Sequence, residues 1–249
     1  GEAFLEPKYF GDGLAVALGG LLVVRFLFVA GVLGPGVRVL LGALLAAGLI
    51  GGGEYLRRTE MKLPVAAIPD AHVPSILTAA GTVVAFGTIY AAHALYGLIG
   101  PVAAFTLLGI TALGTMLAAA IHGPWLAGLG LLGAYFTPVL VSSDTPNPWP
   151  VVLYLAAVAT AAYSLSRLRA WPWLAWGAVA GAAVWGVLLI EPATLQASPW
   201  LHAAAVHALV QLGLAAFFLA IEPGIETKDS EAFPHKLTIG ALVAVATTV

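Results

Sequence analysis

Residues 102–141 read VAAFTLLGITALGTMLAAAIHGPWLAGLGLLGAYFTPVLV, and this stretch decides the fold class. It contains no Asp, Glu, Lys or Arg, and only the triplet His-Gly-Pro interrupts it. A helix needs about 20 apolar residues to cross a bilayer, so the stretch is long enough for two crossings joined by a tight turn. We therefore predict two membrane-spanning helices, at 102–121 and 125–141.

The composition of the whole chain also indicates a membrane protein. Of 249 residues, 61% are hydrophobic and only 9% are charged. A soluble domain carries roughly a quarter charged residues, because its surface faces water. Membrane lipid is therefore the expected partner of this surface. The net charge of −2 argues against nucleic acid as a partner, and the absence of cysteine excludes disulfides and cysteine nucleophiles.

Seven further stretches resemble the first two in length and composition. They lie at 13–31, 36–53, 73–99, 151–165, 173–190, 201–221 and 237–249. The predicted fold class is all-α: a polytopic transmembrane helix bundle of eight spans and a partial ninth, forming one domain over 1–249. Four prolines stand at or next to predicted helix starts, where a missing N–H costs nothing: Pro35, Pro101, Pro124 and Pro150.

The basic residues predict the orientation of the bundle. With a cytoplasmic N-terminus, eight of the ten Lys and Arg residues fall on the cytoplasmic side, as the positive-inside rule requires. These eight are Lys8, Arg57, Arg58, Lys62, Arg167, Arg169, Lys228 and Lys236. Trp125, Trp149, Trp171, Trp173 and Trp200 all fall near predicted helix ends, at headgroup level.

The segment around Pro138 has the composition of a loop motif but is explained by helix geometry. Pro138 removes one backbone hydrogen bond, and we expect the Thr137 hydroxyl to take over a freed carbonyl. Asn147 with Pro148 and Pro150 is typical of a turn into the next helix. We interpret the segment as a Pro-kinked helix followed by an outer turn.

Three polar residues within predicted spans are candidate substrate-binding residues, because polar groups in lipid are costly. They are Arg25, His207 and Gln211. His207 and Gln211 are four residues apart, so they share one helix face, and His202 lies off that face. Arg25 could instead extend to the interface or pair with a possible outer-face acid, Asp144 or Glu191. His207 and Gln211 could equally bridge helices by hydrogen bonds.

No cofactor and no metal site is predicted. His93 and His207 could in principle hold a haem iron between facing helices, but lone histidines are usually structural. The other histidines lack metal-type spacing. Ser142, His202 and Asp144 could be imagined as a hydrolase triad, yet no nucleophile-elbow pattern accompanies them. The pairs Gly48–Gly52 and Gly177–Gly181 have GxxxG spacing and predict close helix packing.

Two segments carry a family resemblance. LGPGVRVLLGALLAAGLIGGGEYLRR (33–58) and LAGLGLLGAYFTPVLVSSDTPNPWPVVLYL (126–155) are similar to segments of large, multi-spanning bacterial predicted membrane proteins, a family defined only as a domain of unknown function. The resemblance implies a multi-pass protein of the bacterial inner (cytoplasmic) membrane, and a chain that is a fragment of a longer one. It implies no catalytic residue.

Three functions remain open from the sequence. The first is a transporter or channel-like protein with a polar site in the outer half of the bundle. The second is a structural or assembly subunit that packs against other transmembrane subunits or against further spans of the same protein. The third is an envelope enzyme acting on lipid or glycan at the outer face, through Asp144 or a histidine. The sequence favours the first and a non-enzymatic role.

Overall fold

The structure is a computed structural model that describes residues 34–59, 73–141, 147–196 and 199–220, with the side chains of 191–199 and 219 excepted. These residues form seven α-helices and contain no β-strand. The helices are α1 (Pro35–Arg58), α2 (Val73–Tyr90), α3 (Pro101–His122), α4 (Pro124–Leu140), α5 (Pro148–Leu168), α6 (Pro172–Gln196) and α7 (Pro199–Ala220). A π-helical turn, Ala91–Leu95, continues α2. The predicted spans 13–31 and 237–249 lie outside the described residues.

Proline begins every helix except α2. The first N–H groups of a helix have no intrahelical acceptor, and the proline ring presets the helical φ angle. The start predicted at 151 is wrong by three residues, because α5 already begins at Pro148. Asn147 caps it by accepting a hydrogen bond from the Trp149 N–H at 3.1 Å, and Pro150 lies in the first turn, where it also breaks no hydrogen bond.

Six of the helices are long and apolar enough to cross a membrane, with α2 counted together with its π-helical turn. The remaining helix, α4, has only 17 residues, which is about 25 Å of rise against a hydrocarbon core of about 30 Å. The span predicted at 125–141 is therefore helical but short. Many large apolar side chains are exposed on the bundle, as contact with lipid requires, and Trp125 is 92% exposed.

Small residues let α1 and α2 approach closely. A Cβ atom added to Gly53 would lie 2.6 Å from Thr78 Oγ1, and one added to Gly81 would lie 2.9 Å from the Ala46 carbonyl oxygen. The GxxxG pair Gly48–Gly52 does not take part, since no described atom lies within 4 Å of a Cβ built on either residue. That pair lies on a different face of α1 from the contact with α2.

The hydrophobic core lies among α3 to α7. Met116 of α3 packs on Gly130 of α4, where an added Cβ would lie 2.7 Å from Met116 Cγ. The second predicted GxxxG pair does lie at a helix contact: Gly177 and Gly181 of α6 face Leu131 and Tyr135 of α4. Gly123, with φ +109°, is the single residue between α3 and α4. The two helices therefore form a tight antiparallel hairpin.

Polar contacts gather at one end of the bundle. Glu54 accepts hydrogen bonds from Arg57 at 2.7 Å and 2.8 Å and from Arg58 at 2.7 Å. Ser75 Oγ donates to the His122 carbonyl at 2.6 Å, which joins the start of α2 to the end of α3. His122 Nε2 lies 3.7 Å from Glu54 Oε2, so the basic end of α1 lies beside the end of α3, as the alternating topology predicts. The cytoplasmic placement of that end stays a prediction.

Candidate functional site

The buried face of α7 consists of small residues interrupted by two polar ones. Ala203, Ala204, Ala208 and Ala215 are buried, and so are His207 and Gln211, each only 2% exposed. α7 packs against α5 and α6, so this face is turned into the bundle. His202 is exposed, which agrees with its predicted position off that face.

His207 makes one hydrogen bond across the interface with α6. Its Nε2 lies 3.0 Å from the Ala182 carbonyl oxygen. Because a carbonyl only accepts, Nε2 carries the proton, and in the neutral ring Nδ1 is then an acceptor. Nδ1 has no hydrogen-bond partner among the described residues, and neither has Gln211 Oε1 one turn further along α7. The site therefore offers two buried acceptors on one helix face.

The buried threonines of the membrane interior donate hydrogen bonds within their own helices. Thr78, Thr82, Thr115 and Thr137 each donate to the carbonyl four residues earlier, at 2.7–3.0 Å. Such a threonine needs no partner from outside its helix. His207 and Gln211 differ from these threonines, because His207 Nδ1 and Gln211 Oε1 have no hydrogen-bond partner among the described residues and lie in a nearly apolar interface.

A second polar cluster, which the sequence reasoning missed, surrounds Pro138. The Thr137 hydroxyl donates to Gly133 at 2.8 Å, so the expectation that it takes over the freed carbonyl is wrong. The carbonyl that Pro138 deprives of its donor is that of Ala134, four residues earlier, and Tyr154 OH of α5 donates to it at 3.0 Å. A mid-helix tyrosine in an apolar span was the available signal, since a buried phenol hydroxyl usually has a partner.

Two further hydrogen bonds extend this cluster from α4 to α6. Tyr135 OH donates to the Ala178 carbonyl at 2.9 Å, and Trp185 Nε1 donates to the Tyr135 carbonyl at 3.2 Å. Ala182, the partner of His207, follows Gly181, against which the Tyr135 ring packs. The middle of α6 therefore links the kinked helix on one side to the polar face of α7 on the other.

The remaining predicted site residues lie mostly outside the part of the chain that the structure describes. Arg25 and Asp144 lie outside the described residues, as does Ser142 of the conceivable triad. Glu191 lies in the last turns of α6, and its side chain is not among those described. His93 lies in the π-helical turn, where its Nδ1 is 3.0 Å from the Ile99 carbonyl oxygen. Within the described ranges, no group of three or more potential ligands could hold a metal ion.

Comparison with known protein families gives a match over nearly the whole chain. A family model described as "Predicted membrane protein (DUF2339)" matches residues 12–249. No curated protein and no solved structure matches the chain. With its several apolar helices, the chain is a multi-pass membrane protein.

Proposed function

The chain belongs to the DUF2339 family of predicted membrane proteins, and we propose that it is a transporter or channel-like protein with its polar site at His207 and Gln211. The observation that carries the proposal is the pair of open acceptor atoms, His207 Nδ1 and Gln211 Oε1, on the buried face of α7. An unsatisfied polar atom in a water-excluded interior is costly, so a protein that keeps two of them one turn apart has a use for them.

The chemistry of these atoms indicates the kind of solute. Both open atoms accept hydrogen bonds when the histidine is neutral, so the solute brings N–H or O–H donors to them. When Nδ1 is protonated, it becomes a donor, and a proton can pass through this position. Arg25 is proposed as a further binding residue, and Asp144 and Glu191 as acids near the outer entrance. The bacterial inner membrane is the proposed location.

A specific observation favours a second function, that of a structural or assembly subunit. Among the described helices, α1 packs chiefly on α2, and its other side carries the exposed residues Leu40, Leu41, Leu44 and Leu45. Other transmembrane subunits or further spans of the same protein could cover that side. The outer-face enzyme, acting on lipid or glycan through Asp144 or a histidine, is the second alternative.

Cysteine labelling tests the transport proposal directly, because the chain has no cysteine of its own. Single variants His207→Cys and Gln211→Cys are reconstituted in liposomes and treated with a membrane-impermeant, water-soluble thiol reagent. Ala215→Cys, buried on the same helix, is the matched control. If a wet route reaches the site, the first two react at least about tenfold faster than the control. Equal, slow labelling at all three positions would instead mean a dry bundle and favour the assembly function.

A further inference from the structure

A buried histidine at the end of α3 faces a carboxylate at the end of α1. The side chain of His122 is only 4% exposed, and its Nε2 lies 3.7 Å from Glu54 Oε2. That Nε2 has no hydrogen-bond partner among the described residues. The Glu54 side chain is 29% exposed, so the carboxylate is partly open to water and the ring is not. Neither residue belongs to the α7 face that carries His207 and Gln211.

The other ring nitrogen of His122 determines what Nε2 can do. Nδ1 lies 3.0 Å from the Ala118 carbonyl oxygen, four residues earlier in α3. Because a carbonyl only accepts, Nδ1 carries a proton, and in the neutral ring Nε2 is an acceptor. Nε2 and the carboxylate oxygen of Glu54 are then two acceptors that face each other without a hydrogen bond. A proton added to Nε2 makes it a donor to that oxygen.

The carboxylate of Glu54 has one acceptor position left for this donor. Arg57 donates to both of its oxygens, at 2.7 Å and 2.8 Å, and Arg58 donates to Oε1 at 2.7 Å. A carboxylate can accept about four hydrogen bonds, so these three leave one position open. Oε2 accepts only one of the three, and Oε2 is the oxygen that lies 3.7 Å from His122. A protonated His122 can therefore bind Glu54 without displacing either arginine.

The charged groups around His122 act on its protonation in both directions. The Glu54 carboxylate favours a charged ring, and so does the negative end of the α3 dipole, because His122 lies in the last turn. The positive charges of Arg57 and Arg58 oppose it. Of the helices that pack on α3, α2 and α4 carry no Asp, Glu, His, Lys or Arg in their described ranges. The end of α5 adds two basic residues at the same end of the bundle, Arg167 and Arg169. Among the described residues at this end, Glu54 is the only acid.

We propose that His122 and Glu54 form a proton-operated contact that fastens α1 to α3. Histidine is the side chain type that normally changes charge between pH 5 and 8. In the acidic part of that range Nε2–H donates to Glu54 and an ion pair joins the two helices, and in the alkaline part this bond is lost. Among the described helices α1 packs chiefly on α2, whereas α3 belongs to the core. The proton therefore controls how firmly α1 is held to the core, and on the predicted topology the contact responds to the pH of the cytoplasm.

Nuclear magnetic resonance of the purified full chain in detergent tests whether the ring takes up the proton. The histidine rings are labelled with a nitrogen isotope, and the signal missing from His122→Phe identifies His122. We expect its Nε2 signal to titrate between pH 5 and 8. The midpoint should fall by at least about one pH unit in Glu54→Gln, because the ring loses its counter-charge. The signals of His93 and His202, in other parts of the bundle, are internal controls and should keep their midpoints.

Amide hydrogen exchange tests whether the proton fastens α1. The last turn of α1 is compared at equal pH in the unaltered chain and in His122→Phe, which keeps a ring but has no donor, so the intrinsic exchange rates cancel. We expect exchange in the unaltered chain to be at least about threefold slower at pH 5 and equal at pH 8.

Three results would each overturn the proposal. They are a His122 signal that does not titrate in this range, a midpoint that Glu54→Gln leaves unchanged, and equal exchange in the two chains at both pH values. If either variant does not purify as a folded protein, Glu54→Asp takes its place. The shorter side chain of that variant keeps the charge but withdraws it from the ring, so the midpoint should again fall and exchange at pH 5 should again be faster.

Discussion

The carbonyl of Ala134 shows how one residue determines the role of another in this bundle. Pro138 has no N–H to give it, and the Tyr154 hydroxyl of α5 donates instead at 3.0 Å. In water the carbonyl would bond to solvent, but within lipid an open carbonyl costs several kcal/mol, by rough estimate. The Tyr154 hydroxyl therefore replaces the N–H donor that Pro138 lacks, and the stabilising effect of the tyrosine depends on the proline.

This pairing predicts a non-additive effect of two substitutions. Tyr154→Phe removes the donor and should lower the free energy of unfolding by about 1–3 kcal/mol. In a Pro138→Ala background, the N–H of the introduced alanine reaches the Ala134 carbonyl, so the same change should cost less than half as much. Both free-energy changes are measured by unfolding the protein in mixtures of a mild and a denaturing detergent. Equal costs in the two backgrounds would show that the Tyr154 hydroxyl contributes to stability independently of Pro138.

The open amide oxygen of Gln211 leads to a second prediction at this scale. Gln211→Met keeps the size of the side chain and removes the unsatisfied acceptor. We therefore expect the free energy of unfolding to stay constant or to rise by up to about 1 kcal/mol. Thr82→Val is the comparison, because its hydroxyl already donates to Thr78 at 3.0 Å and its loss should destabilise. A clear loss of stability in Gln211→Met would mean that the amide forms a stabilising hydrogen bond between helices.

At the scale of the helix, the starts and faces were predictable, whereas the contacts between helices were not. Proline and glycine occur at the helix ends, so the start of α3 was predicted to within one residue of Pro101. The buried face of α7 follows from the spacing of His207 and Gln211. By contrast, Gly48–Gly52 and Gly177–Gly181 have identical spacing, yet among the described helices only the second pair meets another helix. Spacing defines a face, but the neighbour of that face depends on long-range packing.

The contact of α4 with α6 gives a third prediction. The Tyr135 ring packs directly against Gly181, so Gly181→Ala should force the helices apart and lower the free energy of unfolding by roughly 1–3 kcal/mol. Gly48→Ala adds the same methyl group where no described atom is near, and its higher helix propensity should leave stability unchanged or raise it by up to about 1 kcal/mol. Similar effects of the two substitutions would contradict the packing described here.

At the scale of the whole molecule, the two ends of the bundle differ in chemistry. Glu54 with Arg57 and Arg58 marks one end, and Arg38 with Tyr96 marks the other. Between them many large apolar side chains are exposed among the described residues, so we expect lipid to cover the middle of the bundle and water to cover the ends. The candidate site could be predicted only in part: the depth of His207 and Gln211 follows from helix length, but the bond to Ala182 requires the assembled helices.

Two exposed tryptophans test the orientation of the whole molecule. Trp149 lies in the first turn of α5, at the predicted outer end, and Trp125 lies in the first turn of α4, at the predicted cytoplasmic end. In intact cells, Trp149→Cys should react with an impermeant thiol reagent and Trp125→Cys should react only after permeabilisation. The two variants control for each other, because both side chains are exposed. The reverse pattern would place the N-terminus outside.

The single-residue connection between α3 and α4 has a consequence for biogenesis. Gly123 leaves no slack, so α3 cannot settle in the bilayer while the start of α4 remains distant from it. The shorter α4, with its internal Pro138, is the weaker candidate for independent insertion. We therefore expect both helices to leave the translocation machinery as one hairpin, with the longer α3 favouring insertion of the shorter α4.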